Sequence, residues 1–142
     1  MKKLSDHFFE EDFRCKCNVC KREDFRLHLG LVGILEMIAE HFKKQVKIFS
    51  AYWCDQYYES LKKNHRSYHP MGKAVHIAID GVDIKELFKY AETIPGINGI
   101  GFYPKNNFIH IDTRPEDKKE AWIKEGESYF PLSADKRRQY GL

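Results

Sequence analysis

The sequence lacks the features that mark membrane-spanning and secreted proteins. No run in its 142 residues approaches the roughly 18 consecutive apolar residues of a membrane-spanning helix, so we expect no span. No apolar stretch follows Lys2 and Lys3, so we expect no secretory signal. A reducing compartment is then the default, and it disfavours disulfides between the four cysteines.

The sequence also lacks an excess of charge of one sign. It has 24 Lys and Arg against 21 Asp and Glu, a formal net charge of +3, and the two signs are mixed along most of the chain. We therefore expect no nucleic-acid partner. Internal repeats, low-complexity tracts and linker-like segments are absent too, so we predict one domain over residues 1–142, with 42% hydrophobic residues to build a core.

Hydrophobic periodicity predicts an α+β fold: a small, mainly antiparallel sheet with helices packed on one face. Apolar residues recur at three- and four-residue spacing in the helical segments, and β-branched residues alternate in the strands. Trp122, Tyr129 and Phe130 are expected to pack back on the body. The predicted helices cover 5–13, 25–44 and 83–93, the predicted strands cover 46–50, 73–79, 99–103 and 108–112, and 51–66 is predicted to be irregular.

Three histidines are associated with the predicted strands. Side chains alternate faces along a strand, so His76 and His110 point away from the aliphatic face of their strands. His69 lies just before the first of these strands, where Gly72 permits a tight backbone path. The three imidazoles can therefore meet on the face of the sheet that the helices do not cover. Three protein ligands and a water are the arrangement of a catalytic zinc. The alternative is three unrelated histidines on a solvated face, since no HExxH-type motif is present.

The cysteines form a second candidate site. Cys15, Cys17 and Cys20 are spaced as C-x-C-x2-C, and Cys54 is distant in the chain. The spacing leaves three possibilities open: a second, structural zinc held by four thiolates, disulfides, or free buried thiols. In each case the cluster is expected to fix the N-terminal turn to the segment that begins at residue 51.

Two segments resemble the signature blocks of a known family. SYHPMGKAVHIAIDG and GIGFYPKNNFIHIDTR are similar to those of the zinc D-Ala-D-Ala peptidase and Hedgehog group, and most similar to its murein endopeptidases and carboxypeptidases. The resemblance implies the Hedgehog/D-Ala-D-Ala peptidase fold and a bound zinc, with His69 as a first ligand and His110 as a third. It implies a peptidoglycan peptide, or another peptide, as partner. Without a signal peptide, we expect a cytoplasmic protein or one released by lysis from a phage or prophage.

The chain departs from the family pattern at three chemical positions. His76 stands where the group has a metal-binding Asp, which leaves nickel, copper or iron as alternatives to zinc. Trp53 replaces an Arg that holds substrate, and Asn107 replaces an acidic residue that serves as general base. Asp112 shares the face of His110, so it can orient the site, act as the base, or pair with Arg114.

The sequence therefore leaves two functions open, and its oligomeric state is unknown. The first is a divergent zinc peptidase that hydrolyses peptidoglycan cross-links or stem peptides, with Asp112 as its catalytic candidate. The second is a catalytically inactive peptidase-fold module that binds a peptide or protein partner. In either case Trp53, Tyr52 and Ser67 are the candidate substrate-binding residues, although aromatic residues in loops more often serve packing.

Overall fold

A computed structural model describes residues 2–18, 20, 25–61 and 67–142. Within these ranges the chain forms four α-helices and six β-strands, which confirms the α+β prediction. In this described part, no helix has the length and apolar character needed to cross a membrane. The helices are α1 (Leu29–Phe42), α2 (Asp55–Ser60), α3 (Ile84–Glu92) and α4 (Ala134–Tyr140), and the strands are β1 (Lys47–Ser50), β2 (Ala74–Ala78), β3 (Gly99–Tyr103), β4 (Phe108–Asp112), β5 (Glu120–Glu125) and β6 (Ser128–Pro131).

The six strands form one sheet in the order β1-β2-β4-β3-β5-β6. Every neighbouring pair is antiparallel except β3 and β5, which are parallel. Strands β3 and β4 have the predicted bounds, and β1 and β2 lie within the predicted segments 46–50 and 73–79. The turn between β3 and β4 ends at Asn107, whose φ of 57° is tolerated by asparagine better than by most residues.

The hydrophobic core lies between the sheet and two helices, α1 and α3. Alternation along β2 and β4 directs the aliphatic side chains to this side, where they are fully buried. Helices on one face of the sheet were predicted from the same alternation. Buried core residues include Leu31, Leu35 and Ile38 of α1, Leu87 and Phe88 of α3, and Val75, Ile77, Ile109 and Ile111 of the sheet.

Two helix predictions near the N-terminus are wrong in extent. Within 5–13 only Glu10–Phe13 is helical, as a short 3-10 turn, because the Ser5 hydroxyl donates to Glu36 at 2.8 Å instead of capping a helix. The helix predicted over 25–44 begins at Leu29, because the backbone N–H of His28 donates to the carbonyl of Gly72 at 2.8 Å. The residues just before α1 are thus held by the segment that carries the His69 motif.

Several elements were not predicted at all. The segment 51–66 contains α2, which begins where the Cys54 Sγ accepts the Tyr57 N–H at 3.4 Å; residues 62–66 lie outside the described residues. Strands β5 and β6 carry the aromatic residues expected to pack back on the body. Trp122 does so, whereas Tyr129 and Phe130 remain 40% and 41% exposed.

Candidate metal centre and cleft

The candidate site is built on the sheet face opposite the helices. His76 of β2 lies directly opposite His110 of β4, and His110 lies opposite Gly101 of β3. Gly101 in turn lies opposite Trp122 of β5. Because residues at one register level of neighbouring strands project to the same face, these side chains form a row across the sheet.

Two glycines of β3 leave room for the large side chains of this face. A Cβ on Gly101 would lie 2.6 Å from both Cε2 and Nε1 of Trp122, closer than real Cβ contacts. A Cβ on Gly99 would overlap the carboxylate of Asp112 and Nε of Arg114. The G-x-G pattern of β3 is therefore required by the side chains packed over it.

His69 is held rigidly from two sides. It is 1% exposed and begins a 3-10 turn that ends at Gly72, whose φ of 71° favours glycine. Its ring stacks on Trp53 with centroids 3.8 Å apart and planes within 9° of parallel. Its Nδ1–H donates to the carbonyl of Ala51 at 2.6 Å, so that Nε2 is the nitrogen without a proton. That Nε2 lies 3.2 Å from Nε2 of His76.

His110 is oriented by the buried carboxylate of Asp112. Its Nε2–H donates to Oδ2 of Asp112 at 2.7 Å, which leaves Nδ1 as the nitrogen able to bind a metal. Arg114 donates to the same carboxylate from Nε at 2.8 Å and from Nη2 at 2.7 Å. Burial alone would raise the pKa of Asp112, but the hydrogen bonds from Arg114 and His110 hold that pKa well below its usual range. Of the three roles open to Asp112, the geometry favours orientation of His110 and pairing with Arg114.

The three imidazoles fit a tetrahedral metal ion such as zinc. One ring nitrogen from each of His69, His76 and His110 lies within 4.8 Å of the other two. With zinc–nitrogen bonds of roughly 2.0–2.1 Å, tetrahedral geometry places two ligand nitrogens about 3.3 Å apart. The Nε2 atoms of His69 and His76 are 3.2 Å apart. Hydrogen bonds to Ala51 and Asp112 also fix the tautomers that metal ligation requires.

The imidazoles line a cleft with a volume of about 1150 Å³. Two of the candidate substrate-binding residues, Trp53 and Ser67, line it, and the Ser67 hydroxyl accepts the His69 N–H at 3.3 Å. Tyr52 is not among the residues that line this cleft; it packs with Cys15 and Cys54 instead.

Several cleft residues were not singled out from the sequence. Lys124 lies with its Nζ over the rings of Tyr103 and Tyr129, at 5.9 and 5.6 Å from their centroids. Burial raises the pKa of Tyr103, so its hydroxyl stays protonated and can donate a hydrogen bond. Glu120 also lines the cleft and accepts from Arg114 at 3.1 Å. Alternation along β5 would have indicated Glu120, Trp122 and Lys124 as one face, had the strand been recognised.

The four cysteines also come together, at the side of the cleft formed by Trp53. Cys15 and Cys54 are buried, Cys17 and Cys20 are half-buried, and none of them is in a disulfide. Sγ of Cys17 lies 3.5 Å from that of Cys20 and 3.4 Å from that of Cys54. The predicted link between the N-terminal turn and the segment after β1 is therefore present.

The chain is similar in sequence to known proteins. The class is that of the zinc D-Ala-D-Ala peptidase-like proteins, as the resemblance predicted, because the family match includes both signature blocks. A family model described as Peptidoglycan L,D-endopeptidase MepK matches residues 2–118, and the chain belongs to that family.

Individual relatives agree with this assignment. The chain is 33% identical over 115 residues to Peptidoglycan L,D-endopeptidase MepK of Escherichia coli K12, covering 78% of this chain and 60% of that protein. The same values hold for the protein of that name in Shigella flexneri. It is 45% identical over 49 residues to a probable peptidoglycan L,D-endopeptidase MepK of Haemophilus influenzae, covering 34% of this chain and 26% of that protein. The chain thus spans about 60% of the length of the first two relatives. No solved structure matches it significantly.

Proposed function

We propose that this chain is a zinc-dependent peptidase that hydrolyses an L,D peptide bond in peptidoglycan. The convergence of His69, His76 and His110 in a cleft carries the proposal, because the chain belongs to a family whose named relatives are peptidoglycan L,D-endopeptidases. We further propose that residues 1–142 form one domain with the Hedgehog/D-Ala-D-Ala peptidase fold. The sheet supports this by placing His76 and His110 opposite each other on neighbouring strands.

The side chains have distinct roles in this proposal. A zinc ion bound by the three imidazoles would polarise the scissile carbonyl and lower the pKa of a water. Asp112 is a positioning residue, since it fixes the ring and tautomer of His110. Trp53 stacks on His69 and forms one wall of the cleft. The Tyr103 hydroxyl and Lys124 offer a hydrogen-bond donor and a positive charge to a peptide carbonyl or carboxylate, which Trp53 cannot supply in place of the family's Arg.

The second candidate is an inactive module that binds peptidoglycan peptides without cleaving them. Two observations favour it. Trp53 occupies the position of the family's Arg, and Asn107, at the position of its acidic residue, lies exposed in the β3–β4 turn rather than among the cleft-lining residues. An amide cannot serve usefully as a general base.

Product analysis separates the two functions. The zinc content of the zinc-loaded protein is first measured. The protein is then incubated with peptidoglycan fragments that contain L,D bonds, and with matched fragments that have D,D bonds at the same position. The peptidase proposal predicts new termini at the L,D bond by mass spectrometry and slower or no cleavage of the D,D fragments. Intact fragments of both kinds at full metal occupancy, together with measurable binding, would instead support the inactive module.

A further inference from the structure

The cysteine cluster has the geometry of a metal site rather than of disulfides. One sulfur from each of Cys15, Cys17, Cys20 and Cys54 lies within 4.8 Å of the other three. Two of the pairs, Cys17 with Cys54 and Cys17 with Cys20, are 3.4 and 3.5 Å apart, far beyond a disulfide bond of roughly 2.05 Å. Tetrahedral zinc with zinc–sulfur bonds of about 2.3 Å separates its sulfurs by about 3.8 Å, so a small inward or outward shift of each thiol completes the site.

Backbone amides point at two of the sulfurs, which is a second and independent observation. The N–H of Cys54 donates to Sγ of Cys15 at 3.4 Å, and the N–H of Tyr57 donates to Sγ of Cys54 at 3.4 Å. Such donors stabilise negative charge on sulfur, and thiolate is the form that binds metals. Both acceptor sulfurs are buried, at 0% and 2% exposure for Cys15 and Cys54, so a thiolate there needs a cation beside it.

We propose that Cys15, Cys17, Cys20 and Cys54 bind one structural zinc ion, separate from the three-histidine centre. Four thiolates in a closed tetrahedral arrangement leave no open position for substrate, as in other structural zinc sites. The chemistry is ligand exchange only: four thiols each lose a proton to solvent as they bind the ion.

This zinc site positions one wall of the cleft. Cys54 directly follows Trp53, the residue that stacks on His69, and it caps α2 by accepting the Tyr57 N–H. Tyr57 itself lines the cleft. The segment with Cys15 is also tied to the segment after β1, because the N–H of Tyr52 donates to the carbonyl of Phe13 at 3.1 Å. The ion therefore joins two distant chain segments directly behind Trp53.

The test counts metal in a variant that lacks the imidazole centre, so its outcome does not depend on catalysis. In the full chain with His69→Ala, His76→Ala and His110→Ala, we expect one zinc per chain by elemental analysis. Adding Cys17→Ser and Cys20→Ser should reduce this to none. Cobalt substitution of the triple-histidine variant should give an intense thiolate-to-cobalt charge-transfer band, which a site made of nitrogen and oxygen ligands does not produce.

A measurement on the unmutated chain guards against variants that do not fold. Its four cysteines should resist alkylation until a chelator is added, and all four should then be modified, as read by mass spectrometry. Rapid alkylation of the untreated, metal-loaded protein would overturn the proposal. Three other results would also overturn the proposal: the mass of a disulfide-bonded chain, iron in place of zinc, or a folded triple-histidine variant that holds no metal.

Discussion

Replacing His110 by alanine is expected to remove the metal from the three-histidine centre and to abolish hydrolysis, while the chain remains folded. His110 is 5% exposed and lies opposite His76 in the sheet, and among the described residues only His69 and His76 share this candidate metal group with it. Loss of a residue that merely orients a metal ligand costs about 10–100-fold in metal affinity or activity, and loss of the ligand itself should exceed this. Asp112→Asn, which keeps the ligand but disturbs its orientation, should fall within that range.

The measurement combines metal counting with product analysis on each variant. His41→Ala is the matched control, because His41 is an exposed residue of α1 whose ring stacks on Tyr90 outside the cleft. It should keep both metal and activity. The cysteine-bound zinc should persist in His110→Ala, so the expected change is the loss of one metal per chain. Full metal content with normal cleavage in His110→Ala would contradict the assignment of the centre.

Gly99→Ala is expected to cost about 3 kcal/mol of folding free energy and to disrupt the support of His110. The new Cβ would overlap Asp112 and Arg114, which are buried and joined by three hydrogen bonds. Overpacking alone costs roughly 1–3 kcal/mol, and breaking a buried ion pair adds to it. For a chain of this size we expect the melting temperature to fall by about 10 °C.

Gly33→Ala is the control for this prediction. Gly33 lies inside α1, and a Cβ built there meets nothing within 4 Å. Alanine forms helix better than glycine, so this variant should be unchanged or stabilised by up to about 1 kcal/mol. Thermal unfolding of both variants, followed by circular dichroism, checks the pair. Equal melting temperatures would show that the space above β3 is not filled as described.

The side chains on the sheet face opposite the helices could be predicted, because alternation in β2 and β4 is a property of each strand's own sequence. Val75 and Ile77 on one side of β2 fix His76 to the other, and the same argument places His110. The aliphatic core follows from the same pattern. These two strands carry most of the candidate site, which is why the three imidazoles could be named before the register was known.

The other parts of the fold and of the candidate site depend on pairings between segments that are distant in sequence. Strand β5 is polar at its ends and pairs with the glycine-containing β3, so neither strand's own sequence indicates the partnership. Without β5, the placement of Glu120 and Lys124 in the cleft could not be derived. The start of α1 also depends on a distant segment, since a hydrogen bond from the His28 N–H to the carbonyl of Gly72 ends the helical pattern there.

The most direct test of the three-histidine zinc centre is anomalous diffraction from crystals of the zinc-loaded protein, measured on both sides of the zinc absorption edge. We expect an anomalous peak about 2.0–2.1 Å from Nε2 of His69, Nε2 of His76 and Nδ1 of His110. A peak at the cysteines alone, with none between these imidazoles in fully loaded crystals, would contradict it.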